Sequence, residues 1–487
     1  MTTHVAVDLG ANGGKTLLGK VQDDCFRVEE VYHFDNRPVL ENGRYVWDIR
    51  NLRKRVVMGL REAKKRSNEI TSVGIDSWGV DFGLIGIYGD LIQNPYSYRD
   101  PRVSSTVDQI TGRISKRELF KITGINHWNI ANTLWQYHYL SRKESGLLRR
   151  TKCVLMIPQL ISFMLGGDVC AEETLASTTQ MMDVNSRAWS EKIAGKLDLP
   201  FDRLPGIREP GVKIGALHEK AEAPKIKAEI VLPASHDTAA AVAGMPLDRN
   251  NKAFLSTGTW FVLGLELNKP CLSKEAFELG ASNEVGVGGT IRFLKNITGF
   301  FLLEECRRRW KENNRIYSYD ELLKRASETA AFGPLIDPDD PSFVIEADMP
   351  HAIASYCRRS WQDAPRSEGQ IARCIFESLA VKIALTIERM GDVAGIKIRR
   401  LNLGGGGVRN DLLCQMISSA ASIPLDAGPP EVTAVGNILT QAIAYSEIGD
   451  IAEGRRLVAE NMEIKKFEPE ENQRWREAKD KMETFGV

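Results

Sequence analysis

The chain of 487 residues has no excess of either charge, because Lys and Arg together number 64 and Asp and Glu also number 64. Binding to nucleic acid or to an anionic membrane depends on accumulated basic charge, so this balance argues against both partners, although a local basic patch stays compatible with it. The longest nearly apolar stretch, residues 154–165, contains Gln159 and is too short to span a bilayer. We therefore expect no nucleic acid partner and no membrane association.

Paired cysteines are also missing. The eight cysteines are scattered singly and no CxxC motif occurs, which argues against a zinc site and favours reduced, buried thiols. A signal peptide is not recognisable either, because a strand-like segment begins at His4 and Asp8 interrupts any apolar run there. The sequence thus predicts a cytoplasmic protein.

What the sequence does contain is a globular composition and a polar turn near its middle. With 43% apolar and 26% charged residues, the chain is typical of soluble proteins, and its length predicts two or three domains. Residues 235–238 (Ser-His-Asp-Thr) follow an apolar run and precede a run of small residues, which predicts a strand end, a turn and a helix. Asp237 would be either a general base or a helix cap, and these residues alone favour the cap.

A glycine-rich hairpin is predicted at the N-terminus. Residues 4–8 and 16–21 are strand-like, and residues 9–15 form a glycine-rich turn whose N–H groups could surround a phosphate. Asp8 at the strand end could hold Mg²⁺ through water. The turn is one residue short of a P-loop and leads into a strand instead of a helix, so we reject the P-loop, while a plain glycine hairpin stays open.

Residues 73–85 predict a second polar turn between two strands. Ser77 is not a hydrolase nucleophile, because Ile75 occupies the position of the glycine that such a motif needs. Asp76 and Asp81 together with Trp78 suit the recognition of a small polar ligand that has one apolar face. The alternative is a packed tryptophan with turn-forming aspartates.

The hairpin pattern returns in the second half of the chain. Residues 253–256 and 260–265 are strand-like and enclose the turn 257–259, so the layout suggests an internal duplication. A nucleotide between two such halves would have its phosphates held from both sides, and the Thr259 hydroxyl could donate to one of them.

Later segments predict a strand at 291–294, a turn at 295–299 and a strand at 398–403 that enters four glycines at 404–407. Asn296 suits either a sugar hydroxyl or a turn. The glycines permit close backbone approach to a ligand, although Arg409 excludes a G-x-G-x-x-G motif. Apolar periodicity predicts helices at 50–68, 302–310 and 370–390. The charged tail beyond about 450 is also expected to be helical.

Taken in this order, the motifs resemble those of the FGGY carbohydrate kinases, within the actin/hexokinase superfamily. The resemblance runs over nearly the whole chain, and these segments carry it: 5–11, 74–82, 98–102, 234–239, 255–260, 294–297, 374–380, 404–407 and 436–438. It implies an α/β fold of two ribonuclease H-like domains flanking a central cleft, each a five-stranded sheet with helices. The domains would be 1–245, for the sugar and the first phosphate loop, and 246–487, for the nucleotide.

The resemblance also implies an activity. It implies ATP-dependent phosphorylation of the 1-hydroxyl of a ketose, with Mg²⁺ as cofactor, in a monomer or homodimer. The motifs are most similar to those of the family's L-rhamnulose kinases. Kinases of another ketose or polyol (L-fuculose, L-erythrulose, xylulose or glycerol) and a non-catalytic sugar or nucleotide sensor stay open, although a sensor has no need of both Asp8 and Asp237.

Residue roles follow from the matched motifs. Asp237 would be the base and Asp8 would organise Mg²⁺. The expected sugar-binding residues are Trp78, Gly79, Asp81, His236, Thr238 and Asn296. The expected nucleotide-binding residues are Ala11, Asn12, Gly13, Gly14, Lys15, Thr259, Glu304, Gly405 and Gly406.

The chain departs from the pattern at three places. Similar kinases carry Ser-Ser-Gly-Arg where this chain has Asn-Gly-Gly-Lys at 12–15, and Lys15 loses the bidentate fork of arginine. Glu304 replaces a glutamine, and Gln159 replaces an aspartate. These departures concern sugar identity and ATP affinity and leave phosphoryl transfer intact.

Overall fold

The computed structural model describes residues 2–22, 24–126, 132–218, 226–250, 252–345 and 348–486. The chain forms two compact units, each assembled from segments that are distant in sequence. Unit 1 contains Met1–Pro246, Glu266–Phe293 and Val432–Met462, and unit 2 contains Leu247–Leu265, Leu294–Glu431 and Glu463–Val487. The boundary expected after residue 245 stays a prediction.

In the described residues, strands and helices occur in runs along the chain, with five strands before the first helix. The strands are β1 (Thr2–Leu9), β2 (Gly13–Gln22), β3 (Cys25–Asp35), β4 (Val39–Glu41), β5 (Arg44–Val46), β6 (Ser72–Ser77), β7 (Phe82–Gly86), β8 (Thr151–Met156), β9 (Ala171–Glu172), β10 (Ile207–Arg208), β11 (Val212–Ala216), β12 (Glu229–Leu232), β13 (Ala253–Thr257), β14 (Trp260–Leu267), β15 (Ser282–Val285), β16 (Ile291–Thr298), β17 (Leu401–Gly405), β18 (Leu425–Ala427) and β19 (Lys465–Phe467).

The α-helices carry most of the buried apolar residues outside the sheets. They are α1 (Ile49–Arg66), α2 (Val107–Thr111), α3 (Lys116–Thr123), α4 (Thr133–Lys143), α5 (Ser145–Arg150), α6 (Ile157–Leu165), α7 (Glu173–Ala176), α8 (Glu191–Leu197), α9 (Asp237–Gly244), α10 (Lys274–Glu278), α11 (Phe301–Glu312), α12 (Tyr319–Ser327), α13 (Ser342–Ile345), α14 (Met349–Arg359), α15 (Glu368–Ala394), α16 (Asp411–Ala421), α17 (Val432–Ala444), α18 (Ile451–Asn461) and α19 (Gln473–Glu483).

The sheet of unit 1 has the strand order β11-β12-β6-β1-β2-β3. Strands β1, β6 and β12 run parallel, with Asp8 opposite Asp76 in the register. Because the carboxyl ends of parallel strands meet at one edge of a sheet, the polar turns after these strands come together there. A bridge between Ser77 and His236 extends this pairing to the turn before α9.

Helices cover both faces of this sheet, in which parallel and antiparallel strands are mixed. Val56 and Leu60 of α1 are buried against one face, and Val435 and Ile438 of α17 are buried against the other. A Cβ atom at Gly19 would lie 2.5 Å from the Ile438 side chain, so a glycine is needed where α17 approaches β2. The predicted surface helix at 50–68 is confirmed as α1, whose first turn is capped by Asp48.

The sheet of unit 2 repeats the strand directions of unit 1. Along β2-β1-β6-β12-β11 the neighbouring strands are antiparallel, parallel, parallel and antiparallel. The same succession holds along β14-β13-β17-β18-β19. Both predicted hairpins are therefore present, and the repeated topology supports the internal duplication.

Three expectations about the elements were wrong. In the described part of the chain the two large sheets have six and seven strands instead of five each, because β11 adds to the edge of the first, and β15 and β19 form the edges of the second. The predicted turn at 295–299 is mostly strand, since β16 runs to Thr298 and buries Ile297. The strand expected at 398–403 is β17, which starts at Leu401 because its partner β13 starts opposite that residue.

Candidate active site

Asp237 is the first residue of α9, and His236 is the N-cap residue without a capping side-chain hydrogen bond. Asp237 Oδ1 accepts from the Thr238 backbone N–H at 2.5 Å and from the Thr238 hydroxyl at 3.1 Å. Among the described residues, no hydrogen bond is formed by Asp237 Oδ2, and the side chain is 33% exposed. Hydrogen bonds to Oδ1 thus orient the carboxylate, while Oδ2 remains available to accept a hydrogen bond from a ligand.

The turn before Asp237 is held by Glu172, which the sequence did not reveal. Glu172 Oε2 accepts from the Thr174 hydroxyl at 2.7 Å and from the Ser235 N–H at 3.1 Å. The N–H of His236 donates to the Thr174 hydroxyl at 3.3 Å. Burial raises the pKa of the Glu172 carboxyl to about 7. Glu172 therefore fixes the backbone on which His236 and Asp237 stand.

Asp8 and Asp76 form a carboxyl pair at the ends of β1 and β6. Asp76 is fully buried, and Asn437 Nδ2 donates to its Oδ2 at 2.5 Å. Burial first, and the charge of Asp8 second, raise the pKa of Asp76 well above its ordinary value. The surroundings therefore disfavour ionisation of Asp76, as expected for a buried carboxyl group that lies beside a second one.

A buried hydrogen-bond chain continues behind this pair. Gln441 Nε2 donates to Asn437 Oδ1 at 2.7 Å, and the Ser72 hydroxyl donates to Gln441 Oε1 at 2.6 Å. His4 joins Ser72 through Nδ1 at 2.7 Å and Glu447 through Nε2 at 2.8 Å. The chain satisfies polar groups in the core and anchors Asn437 against Asp76.

His236 lies between acidic and basic groups. Its Nε2 is 3.4 Å from Asp237 Oδ1, and its Nδ1 is 3.1 Å from Arg292 Nη2 and 3.4 Å from Glu284 Oε2. Arg292 and Glu284 form an ion pair at 2.9 Å, and Arg292 is completely buried. One signal in the sequence pointed to Arg292, namely its position between apolar neighbours in a strand-like segment.

The turn after β6 packs an aromatic wall beside the site. Asp81 Oδ2 accepts from the indole N–H groups of Trp47 at 2.7 Å and Trp78 at 3.1 Å, and its Oδ1 accepts from Gln136 at 2.8 Å. Asp81 is fully buried, which raises its pKa. Asp81 therefore orients Trp78, and this geometry does not favour the direct sugar contact that we expected of Asp81.

Backbone strain accompanies this turn. Val80 has φ of 71°, a left-handed value that a β-branched residue rarely adopts. Its carbonyl is held by Thr133 at 2.9 Å and Gln136 at 3.2 Å. A Cβ atom at Gly79 would lie 3.7 Å from His236 Nε2, so the backbone of Gly79 borders His236. Strain maintained by such contacts is common at functional sites.

The first glycine turn is closed and tied down. Gly10 N–H donates to the Gly13 carbonyl at 2.7 Å, and Asn12 Oδ1 accepts from Arg99 Nη2 at 2.9 Å. A Cβ atom at Gly14 would lie 2.4 Å from the Phe34 ring, so only glycine fits there. Lys15 reaches Glu30 at 3.4 Å. The side chain of Ala11, which was also predicted to bind the nucleotide, is partly buried and packs against the core of unit 1.

Unit 2 contains the second glycine cluster, organised by Thr257. The Thr257 hydroxyl donates to the Gly404 carbonyl at 2.6 Å and accepts from the Gly407 N–H at 2.8 Å. Gly405 has φ of 85°, and a Cβ atom there would lie 2.4 Å from the Thr257 carbonyl oxygen. Around Gly406, by contrast, no described atom lies within 4 Å of a built Cβ atom. Gly406 therefore offers open backbone to a ligand.

Other expected residues of unit 2 lie on its surface. Glu304 in α11 accepts from Arg307 Nη1 at 2.8 and 2.9 Å, so its charge is neutralised locally. Asn296 is exposed within β16, and Thr259 is exposed at the tip of the second hairpin. The Thr259 carbonyl accepts from the N–H groups of Gly299 and Phe301 at 3.2 and 3.1 Å, which joins the hairpin tip to the start of α11.

No group of three or more His, Cys, Asp or Glu side chains in the described ranges could hold a metal ion by itself. None of the helices described above has the length and hydropathy needed to cross a membrane.

The family models of the N- and C-terminal domains of one protein family match this chain. Residues 3–244 match the N-terminal domain of the FGGY family of carbohydrate kinases, and residues 253–445 match its C-terminal domain. A rhamnulokinase of Bacteroides thetaiotaomicron is 39% identical over 474 residues, which cover 96% of both chains. A rhamnulokinase of Ligilactobacillus salivarius is 36% identical over 97% of this chain and 96% of its own length. A rhamnulokinase of Bacillus subtilis is 33% identical over 96% of each.

Solved structures share the fold at low sequence identity. Glycerol kinase of Plasmodium falciparum with ADP superimposes with a TM-score of 0.79 at 16% identity and covers 100% of this chain and 98% of that chain. Xylulose kinase of Rhodospirillum rubrum gives 0.78 at 14% identity, covering 99% and 98%. The predicted fold class, a two-domain actin/hexokinase-type fold, is thereby confirmed.

Proposed function

The chain belongs to the FGGY family of carbohydrate kinases and is an ATP-dependent sugar kinase, and we propose that it phosphorylates the 1-hydroxyl of L-rhamnulose. The support for this substrate is that relatives named rhamnulokinase are similar over nearly the entire length of both chains. A monomer or homodimer in the cytoplasm is part of the same proposal.

The proposed base is Asp237. Its Oδ1 is held by Thr238, while Oδ2 can accept the proton of the attacking hydroxyl. Phosphoryl transfer has a loose transition state, so the base has to orient the hydroxyl and accept its proton late in the reaction. The N-terminus of α9 favours a negative charge at this position.

The sugar would be bound by residues of the same turn and by its neighbours. His236 Nε2 and the Thr238 hydroxyl lie beside the Asp237 carboxylate and can hydrogen-bond to sugar hydroxyls. Gly79 lets the backbone come close to His236, and Trp78 supplies an apolar surface. Asn296 is a further proposed sugar-binding residue, through its side-chain amide.

The glycine turn of each unit is a proposed nucleotide-binding segment. In unit 1, the backbone from Ala11 to Lys15 would surround phosphate oxygens. In unit 2, the backbone at Gly405 and Gly406 and the Thr259 hydroxyl would contact ATP. Glu304 would lie near the nucleotide without repelling it, because Arg307 neutralises it.

Asp8 fits a magnesium site that has few protein ligands. Mg²⁺ is usually held by one or two carboxylates together with water and substrate phosphates, so a larger cluster of protein ligands is not required. Asp8 lies opposite Asp76 in the register of β1 and β6, and its carboxyl group would be one of these ligands. When bound, Mg²⁺ would neutralise negative charge on the phosphates.

The proposed substrate can be tested by ADP release. Purified protein with ATP and Mg²⁺ would be assayed with L-rhamnulose, L-fuculose, L-erythrulose, D-xylulose and glycerol, and the Asp237→Asn variant would exclude contaminating kinases. We expect the highest kcat/KM with L-rhamnulose and phosphate on the 1-hydroxyl of the product by NMR. A higher kcat/KM for another sugar, or ADP release that no sugar stimulates, would refute the proposal.

A further inference from the structure

Arg292 has no role among the expected site residues, yet it is a completely buried cation in contact with His236. It lies in β16, where its neighbours along the strand are apolar. Its Nη2 is 2.9 Å from Glu284 Oε2 and 3.1 Å from His236 Nδ1, and its Nε donates to the Val285 carbonyl at 3.3 Å.

The guanidinium is not placed to maximise its own hydrogen bonds. Its Nη1 is buried, and none of the described residues accepts a hydrogen bond from it. Buried donors are nearly always paired, so an unpaired one indicates that another requirement fixes the side chain. That requirement is met by Nη2, which reaches both His236 and Glu284.

An arginine can only donate hydrogen bonds, because it stays protonated in proteins. Burial lowers the pKa of Arg292, whereas the charges of Glu284, Asp237 and Glu172 raise it. His236 Nδ1 must therefore accept, and the ring proton must reside on Nε2. This nitrogen is the one that lies 3.4 Å from Asp237 Oδ1.

We infer that Arg292 is a positioning residue that holds His236 as the neutral Nε2–H tautomer, so that the ring donates toward the sugar and the Asp237 carboxylate. The inference rests on the proposed function, since it uses Asp237 as base and His236 as sugar contact. Gly79 borders the same nitrogen, so residue 79 places no side chain against the donor.

The charges around the ring explain why a cation is required. Glu284 and Arg292 face Nδ1, and Asp237 faces Nε2, while Glu172 acts on the turn through the Ser235 N–H. Without Arg292, carboxylates would flank the ring on both sides and favour an imidazolium. A charged imidazolium paired with Asp237 would make that carboxylate a weaker proton acceptor.

The simpler interpretation is that Arg292 and Glu284 only join β16 to β15. A matched control is available in unit 1, where the buried Arg455 pairs with Glu266 at 2.7 and 2.8 Å. Arg455 also donates to the carbonyls of Val242 and Ala243 at the C-terminal end of α9, and its contacts among the described residues do not include His236. Replacing both members of a buried pair avoids leaving one charge unpaired. The test therefore compares R292M/E284Q with R455M/E266Q.

Two readouts separate positioning from packing. The first is ¹⁵N–¹H NMR of the imidazoles in the whole protein, with His236→Gln used to assign the signal. We expect an Nε2–H tautomer in the wild type and a mixture of tautomers in R292M/E284Q. A proton on Nδ1 in the wild type would overturn the inference, even if R292M/E284Q failed to fold or no sugar were phosphorylated.

The second readout is the pH dependence of kcat/KM. We expect R292M/E284Q to lose on the order of tenfold or more, while R455M/E266Q stays within about threefold of the wild type at a similar melting temperature. In Arg292→Gln, where Glu284 remains, the acid limb of the profile should move to higher pH. Wild-type kcat/KM and an unchanged profile in both Arg292 variants would contradict the inference.

Discussion

Asp8 and Asp76 face each other across two parallel strands, and burial first and the charge of Asp8 second raise the pKa of Asp76 well above its ordinary value. An asparagine at 76 would imitate the protonated form of Asp76, since its amide can donate to Asp8 and its carbonyl can accept from Asn437. We therefore expect Asp76→Asn to keep kcat within about tenfold, whereas Asp8→Asn should lose on the order of 10². Equal losses in steady-state assays of the two variants would show that Asp76 is needed as an anion.

The stability of Asp76→Asn tests the raised pKa of Asp76. A carboxyl whose pKa is raised by folding stabilises the protein below its unfolded pKa, and this contribution is lost as the pH rises toward the folded pKa. Asp76→Asn cannot ionise, so its melting temperature relative to the wild type should increase as the pH rises from 4 upward. A difference that does not change with pH would contradict the raised pKa of Asp76.

Glu172 should affect both stability and turnover. Its carboxylate faces four donors, so Glu172→Gln places an amide N–H₂ against N–H and O–H groups and should destabilise the protein by about 1–3 kcal/mol. Turnover should fall as well, because the turn that carries Asp237 loses its anchor. Denaturant unfolding and kcat would measure the two effects.

The difference in stability between the wild type and Glu172→Gln should change with pH in one direction. Burial raises the pKa of Glu172 from 4.5 to about 7, so the wild type loses stability as the pH rises between these values. Glu172→Gln lacks this loss, and the stability gap between the two proteins should narrow across that window. A gap that widens would mean that the carboxyl is ionised throughout and stabilised by its donors.

Neighbouring glycines of unit 2 should differ in their response to alanine. At Gly405 the positive φ and the nearby Thr257 carbonyl oxygen make a Cβ atom costly, so Gly405→Ala should destabilise the protein by roughly 1–3 kcal/mol. At Gly406 a Cβ atom has room, so Gly406→Ala should fold normally. Its KM for ATP should nevertheless rise if the nucleotide approaches this backbone, and an unchanged KM would remove Gly406 from the nucleotide site.

The acid at 304 should matter less than its difference from similar kinases suggests. Because Arg307 neutralises it, Glu304→Gln should change the KM for ATP by less than about threefold. Arg307→Met should raise the KM, because it leaves the carboxylate of Glu304 without its partner. A large effect of Glu304→Gln and none of Arg307→Met would reverse this assignment.

Local patterns predicted much of the fold. Both hairpins, the turn before α9 and the glycine cluster after β17 follow from alternating apolar residues and glycines within short segments. The end of β16 and the extra edge strand β11 escaped prediction because pairing with distant strands decides them.

The site was predictable to the same degree. Asp237, His236 and the glycines belong to short motifs, whereas Glu172 and Arg292 reach the turn from strands far away in sequence. Asp81 looked like a ligand group because a motif cannot show that two indoles and Gln136 already occupy its oxygens. Roles that depend on burial need the tertiary structure.

The measurement that tests the account most directly is phosphoryl transfer by Asp237→Asn. Sugar binding, measured by calorimetry, should persist, because His236 and Thr238 remain in place. Turnover should fall on the order of 10² or more, because the hydroxyl loses its proton acceptor. Near-normal turnover with the same sugar would contradict the account and reduce Asp237 to a residue that only stabilises the start of α9.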